Sequence, residues 1–378
     1  MSFPAALSLY ERYVAWRASR IAPPEARLRY LRRVALPPPA RAAHLRLRVL
    51  AGLAAGALVL AGSWKLSETQ AAMGLPEAAP TAPLPPPLVW LVEQTAEAEV
   101  FSNGLRIEVS NSVRTTGRSW RPIRRKDGKV LAEQHSEPAG VVFHTTESQI
   151  PEFLPDLNQR LRTLGRAALD HARRNRSYHY FIDRFGRTFR LVEETDVAFH
   201  AGHSVWGDHQ WLYVNLNHSF LGVTFESQTS AQQAVLTAAQ MRAGRLLVEM
   251  LRCRYQIPAG NFVTHAQVSV NPVNWRIGAH TDWAAQFPFE TLGLPPNYTL
   301  PPPAFTDFGF TYDDYLLSRL GRLPWPGLSR ADQALLAAAT AHQQDLPEYR
   351  LQLRQRYREI LAALRARDTQ EEVHVTAQ

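Results

Sequence analysis

Cysteine is nearly missing from this chain of 378 residues: Cys253 is the only one. An intramolecular disulfide is therefore excluded, and so is a zinc site built from several thiolates. No internal repeat is present. With only 20 glycines and no heptad pattern, collagen-like and coiled-coil fibres are also excluded. What the chain does have is apolar content: hydrophobic residues make up 45% and charged residues 20%. That composition supports a sizeable packed core and rules out global disorder. At roughly 100–200 residues per domain, the length predicts two or three units.

The net charge of +8 first suggests a nucleic-acid partner, but it sits in one place. Residues 1–48 hold ten arginines against Glu11 and Glu25, while the other 330 residues carry 32 basic and 32 acidic side chains. The main part of the chain is neutral, which removes the electrostatic support for DNA or RNA binding.

Six segments emerge along the chain. The basic segment 1–48 is followed by 49–65, whose first sixteen residues (VLAGLAAGALVLAGSW) carry no charge. A bilayer span normally takes about 20 apolar residues, so this run is short, but Arg46, Arg48 and Lys65 can snorkel and Trp64 suits an interface. It reads as an uncleaved signal anchor with the arginine-rich side in the cytoplasm. The competing readings are a buried Ala/Leu helix or a cleaved signal peptide. Residues 66–88 hold six prolines between Pro76 and Pro87 and predict a stiff, extended spacer. Residues 89–137 contain short apolar runs that predict accessory strands of unassigned role. Segments 138–300 and 301–378 follow, the second reading as an amphipathic helical extension broken near Pro347.

Within 138–300 the pattern sharpens. Strands are predicted at 140–145 (GVVFHT), 220–226 and 261–265, and a hairpin at 178–192 around Arg184-Phe185-Gly186. Helical spacing runs through 153–174 and 231–255. Strands alternating with helices predict an α/β domain. Nine of the thirteen histidines fall between His144 and His280. His144 and His265 each end a predicted strand, and in open α/β sheets sites form beyond the carboxyl ends of strands. Two imidazoles there plus one carboxylate make a three-ligand zinc site with an open fourth position. Asp282 lies seventeen residues after His265, in the run His280-Thr281-Asp282-Trp283.

The segments GVVFHTT, YHYFIDRFGRTFRLV, VAFHAGHS, FLGVTFES and FVTHAQ resemble, in order and approximate spacing, the type-2 N-acetylmuramoyl-L-alanine amidases. That family includes phage amidase-lysozymes and peptidoglycan recognition proteins. The resemblance covers roughly residues 138–296. It implies a mixed central sheet flanked by helices, here preceded by the predicted transmembrane helix and followed by the helical extension. It also implies a Zn2+ cofactor and hydrolysis of the amide between MurNAc and the L-Ala of the peptidoglycan stem peptide.

Carried over by position, His144 and His265 match two zinc ligands and Asp282 the third, with His280 where the family stabilises the oxyanion. Tyr178 matches a tyrosine that assists the reacting water, and His200 a histidine lining the site. The proton-shuttling glutamate of other branches has Thr224 at its place, and Glu226 is the nearest acid on the same strand face. The family's Lys-x-Asp-Pro-Gly is absent and the loop from His265 to Asp282 is long, so His280 stays open as an alternative third ligand. Trp206, in a loop with Trp211 and Tyr213, is either a sugar-stacking residue at the groove rim or part of a packed insertion. His171 and His179 read as helix-surface and outward strand residues, and Cys253 as a small core residue.

Together these readings predict a zinc amidase on the extracytoplasmic side of the inner membrane, with peptidoglycan as substrate and no nucleic-acid partner. Two alternatives remain: a non-catalytic peptidoglycan-binding module, and an amidase for another acylated peptide. No protein partner is indicated.

Overall fold

The run at 140–145 combines β-branched and aromatic residues with no polar alternation, the pattern of a strand buried on both faces. It forms the strand around which the molecule is built. The structure, a computed structural model, describes residues 88–228, 236–312, 314–320 and 325–376, all within the unit Leu84–Gln378. Its strands up to residue 264 are β1 (Leu91–Gln94), β2 (Ala98–Phe101), β3 (Arg106–Glu108), β4 (Ile123–Arg124), β5 (Gly140–Thr145), β6 (Tyr180–Ile182), β7 (Thr188–Arg190), β8 (Val205–Gly207), β9 (Trp211–Val214), β10 (Phe220–Phe225) and β11 (Phe262–Thr264). The helices that concern the site are α1 (Asn158–Arg174), α2 (Ala238–Tyr255), α3 (His265–Val268), α4 (Pro326–Ala341) and α5 (Leu346–Thr376).

Eight strands make one sheet in the order β1-β2-β3-β7-β6-β10-β5-β11. β5 lies parallel to both β10 and β11, β10 parallel to β6, and β6 antiparallel to β7. The sheet is therefore mixed, with helices on its faces. β1–β3, from the 89–137 segment, are strands of this same sheet, because β3 pairs in parallel with β7. The register puts Thr224 beside His144 and Phe220 beside Gly140. Gly140 has to be glycine: a Cβ there would lie 2.2 Å from the Phe220 ring.

Side chains alternate across the strands. Phe143, Tyr180, Ile182, Val223 and Phe225 face Leu247, Val248 and Leu251 of α2, forming the largest core. A Thr237–Gln240 capping box starts that helix, and the part of the predicted helix before Leu236 lies outside the described residues. The alternate residues face the other way, where Leu169 and Ala172 of α1 cover Phe181, Phe189 and Leu191. His144 and Thr224 belong to this second face, near the carboxyl ends of the parallel strands.

A further core ties the C-terminal extension to the loop after α3. Leu328 and Ala331 of α4 and Tyr357 and Ile360 of α5 share a cluster with Ala266, Val270, Ile277 and Ala284. Among the described residues no helix is long and apolar enough to cross a membrane. The predicted span at 49–65 lies outside them.

Candidate metal centre

His144 is set by the strand that carries it. β5 is buried along its whole length, and the His144 carbonyl accepts the indole N–H of Trp283 at 2.9 Å. His265 opens α3 directly after β11, where the Thr264 N–H donates to Gln267 Oε1 at 2.9 Å. Asp282 is brought back to both by its own backbone, whose carbonyl accepts the Ala266 N–H at 3.2 Å.

These placements make three side chains converge. Asp282 Oδ2 lies 3.1 Å from His144 Nδ1, and Asp282 Oδ1 lies 2.9 Å from His265 Nδ1. One ligand atom from each residue falls within 4.8 Å of the others. Among the described residues no other group of three metal-ligating side chains converges in this way. Burial pushes the Asp282 carboxyl up, but the two histidines outweigh it and hold it well below the usual carboxylate range. Burial and the neighbouring His265 push His144 down to about 4, against the pull of Asp282. The centre thus pairs a carboxylate anion with a neutral His144 imidazole. His265 Nε2 is buried with no hydrogen-bond partner. Two imidazoles and one carboxylate, with ligand atoms gathered this closely, fit a tetrahedral Zn2+ that keeps an open position.

The other predicted residues separate into those beside the centre and those away from it. Tyr178 is beside it, its ring centroid 5.1 Å from that of His144. Burial and the Asp282 charge raise its hydroxyl to about 12, so it stays protonated and can donate. His280 stacks on His265 with ring centroids 4.4 Å apart and an interplanar angle of 15°. Its ring lies on the outer side of His265 and is not part of the converging trio, whose third member is Asp282. His200 stands behind His144, with its Nδ1 3.2 Å from His144 Nε2.

Glu226 is not brought to the trio. Its Oε2 accepts the Arg184 N–H at 3.1 Å, and the side chain lies against Gly165 of α1. There it lines a separate cavity of about 520 Å³ with Asp183, Arg187 and Phe185. Trp206 corrects the rim reading: it is 1% exposed and packs with Tyr213, Phe220 and Val263, so it presents no ring to a ligand. His179 is also corrected. It is fully buried, and its Nδ1 accepts the Gly222 N–H at 2.9 Å. It directly precedes β6 and packs between Arg118 and His200, so the side chain does not reach solvent.

Several residues of the centre escaped the sequence reading. Arg118, in an Arg-rich stretch with no periodicity, is buried and donates to the carbonyls of Glu194, Asp196, His218 and Phe220. Asn217 accepts the backbone N–H groups of His200 and Ala201 at 2.9 and 2.7 Å. Trp283 was visible only as a neighbour of Asp282. No local signal marks Arg118 or Asn217, because their partners are distant in sequence.

Residues 134–284 match the family described as N-acetylmuramoyl-L-alanine amidase, and His144, His265 and Asp282 all fall inside that match. The match takes in less than half of the chain. Among solved structures, the chain is similar to AmiD from E. coli, solved in complex with the substrate anhydro-N-acetylmuramic acid-L-Ala-D-gamma-Glu-L-Lys. Identity is 25%, over 41% of this chain and 56% of that one, with a TM-score of 0.31. AmpDh3 from Pseudomonas aeruginosa, in complex with anhydromuramic pentapeptide, is 22% identical over 41% of this chain and 58% of that one, at a TM-score of 0.31. The Drosophila peptidoglycan recognition protein SD is 15% identical over 42% of this chain and 84% of that one, at 0.26. The chain spans just over half the length of the first two. No curated protein matches the chain.

Proposed function

We propose that the 138–300 region is a zinc-dependent amidase that hydrolyses the bond between MurNAc and the L-Ala of the peptidoglycan stem peptide. The observation that carries this reading is the convergence of His144, His265 and Asp282 inside the family-matched segment. A Zn2+ held by those three side chains would lower the pKa of its water towards 7 and polarise an amide carbonyl. The protein's own residues supply the rest. Tyr178, protonated and beside His144, donates to the departing amine. His280, exposed on the outer face of His265, donates a hydrogen bond to the carbonyl oxygen as it gains charge, a contact worth about 3–4 kcal/mol in other enzymes. Glu226, directed into its own cavity, is left out of this scheme. The arginine-rich segment 1–48 and the apolar run that follows it support a single-pass location in the inner membrane, with the amidase on the extracytoplasmic side.

The test is incubation of the full chain with purified peptidoglycan, with and without a zinc chelator, and mass spectrometry of what is released. Chelator-sensitive release of stem peptides with a free N-terminal L-Ala, absent in His144→Ala, is the expected result. Binding to sacculi without any released fragment would replace the amidase with a binding module.

A further inference from the structure

The hydrogen bonds around His200 give it a role other than the site-lining one that the resemblance implies. The ring is buried and fixed from four sides. Asn217 Oδ1 holds the backbone by accepting the N–H groups of His200 and Ala201. Gly222 gives the ring room: a Cβ at that position would lie 2.6 Å from His200 Cγ. His200 Nε2 lies 3.2 Å from the Phe220 carbonyl oxygen, and His200 Nδ1 lies 3.2 Å from His144 Nε2. The Phe220 carbonyl is held in turn by the buried Arg118 guanidinium at 3.2 Å.

A carbonyl oxygen only accepts. The proton of neutral His200 must therefore sit on Nε2, which leaves a lone pair on Nδ1. That lone pair accepts from His144 Nε2–H, so the other nitrogen of His144, Nδ1, also carries a lone pair. This nitrogen faces Asp282 Oδ2 at 3.1 Å, and two acceptors at that separation would repel unless a cation were held between them.

The structure assigns His200 as a positioning residue that fixes the tautomer of His144, so that its Nδ1 lone pair faces Asp282, where a metal would be held. The assignment rests on the zinc reading above. It explains why the strand segment GVTF begins with glycine, and why Asn217 and one Arg118 contact hold backbone groups beside this imidazole. Outer-shell partners of ligating histidines typically change metal affinity by roughly 10–100-fold.

The test uses the full-length protein and Zn2+ itself, with affinity measured by competition against a chromophoric chelator. His200→Leu removes the acceptor and is expected to weaken Zn2+ binding by roughly 10–100-fold, with KM little changed once the metal is saturating. His200→Asn keeps an oxygen acceptor near the Nδ1 position and is expected to restore most of the affinity. Affinity within twofold of wild type in His200→Leu, with a raised KM, would overturn the assignment in favour of a substrate contact. Long-range proton–nitrogen NMR of the wild-type protein decides the matter even if the variants fail to fold. His200 protonated on Nε2 supports the relay, whether or not Zn2+ is present, and protonation on Nδ1 overturns it. Because the His200 tautomer is read without metal, a wild-type protein that binds no Zn2+ would sink the amidase reading separately.

Discussion

At the scale of single residues, the geometry divides two neighbours that the sequence left interchangeable. Asp282 and His280 are two positions apart, and either satisfied the ligand requirement on spacing alone. The carboxylate reaches both His144 and His265, whereas the His280 ring stacks on one of them. The two side chains should accordingly fail in different ways. Asp282→Ala is expected to abolish tight Zn2+ binding and, with it, release of stem peptides. His280→Ala should keep near-normal Zn2+ affinity while losing about 10²–10³-fold in kcat, the cost of removing one oxyanion donor. Metal titration of the two variants checks this, and loss of Zn2+ binding in His280→Ala would mean that the trio uses a different third ligand. Legibility at this scale followed chemistry. His144, His265 and Tyr178 end strands or flank them in recognisable segments, so their neighbourhood was readable. Trp206 was not, because the residues that bury it, Phe220 and Val263 among them, arrive from remote strands.

At the scale of elements, the extension beyond residue 300 braces the loop that delivers Asp282. The Trp325 indole, at the start of α4, donates to the Ala284 carbonyl and stacks on Tyr298 with centroids 5.4 Å apart. The Tyr298 hydroxyl donates to the Trp283 carbonyl at 2.7 Å. Two aromatic side chains thus grip the backbone on the C-terminal side of Asp282. Trp325 is 5% exposed, and truncating a buried Trp to Ala costs about 3–5 kcal/mol. Trp325→Ala is therefore expected to lower Tm and to speed Zn2+ release, even though the residue touches no ligand. Equal Zn2+ dissociation rates for the two proteins would show that the extension packs on the domain without steadying the site. The bounds of β5 were legible because a run buried on both faces needs no partner to be recognised. The membership of β1–β3 was not: parallel pairing of β3 with β7 joins segments some eighty residues apart, and no local periodicity records such a contact.

At the scale of the whole molecule, the concentration of histidines in the interior makes stability depend on pH in a definite direction. Burial holds His179 and His200 well below the ordinary value of 6.5 and His144 at about 4. The folded state therefore refuses protons that the unfolded chain accepts. Stability from these groups is fully present above pH 6.5 and is lost as the pH falls below it, by up to about 1.4 kcal/mol per histidine per pH unit. Glu226 acts in the opposite sense. Burial raises its carboxyl pKa, so the fold takes up that proton before the unfolded chain does, offsetting part of one histidine. Two to three histidines against one glutamate leave a net loss on acidification. Melting of the metal-free protein should therefore shift to lower temperature between pH 6.5 and 5.5, where most carboxylates remain ionised. Saturating Zn2+ should raise the melting temperature without flattening this slope, since a nitrogen bound to metal takes no proton while the unfolded chain still does. His179→Gln, which removes one such group from both states, should flatten it, at some cost in stability at neutral pH because the Gly222 N–H loses its histidine acceptor. A melting temperature independent of pH across that window would mean that the interior histidines are already protonated in the fold. In that case the neutral His144–His200 pair on which the metal seat depends could not stand.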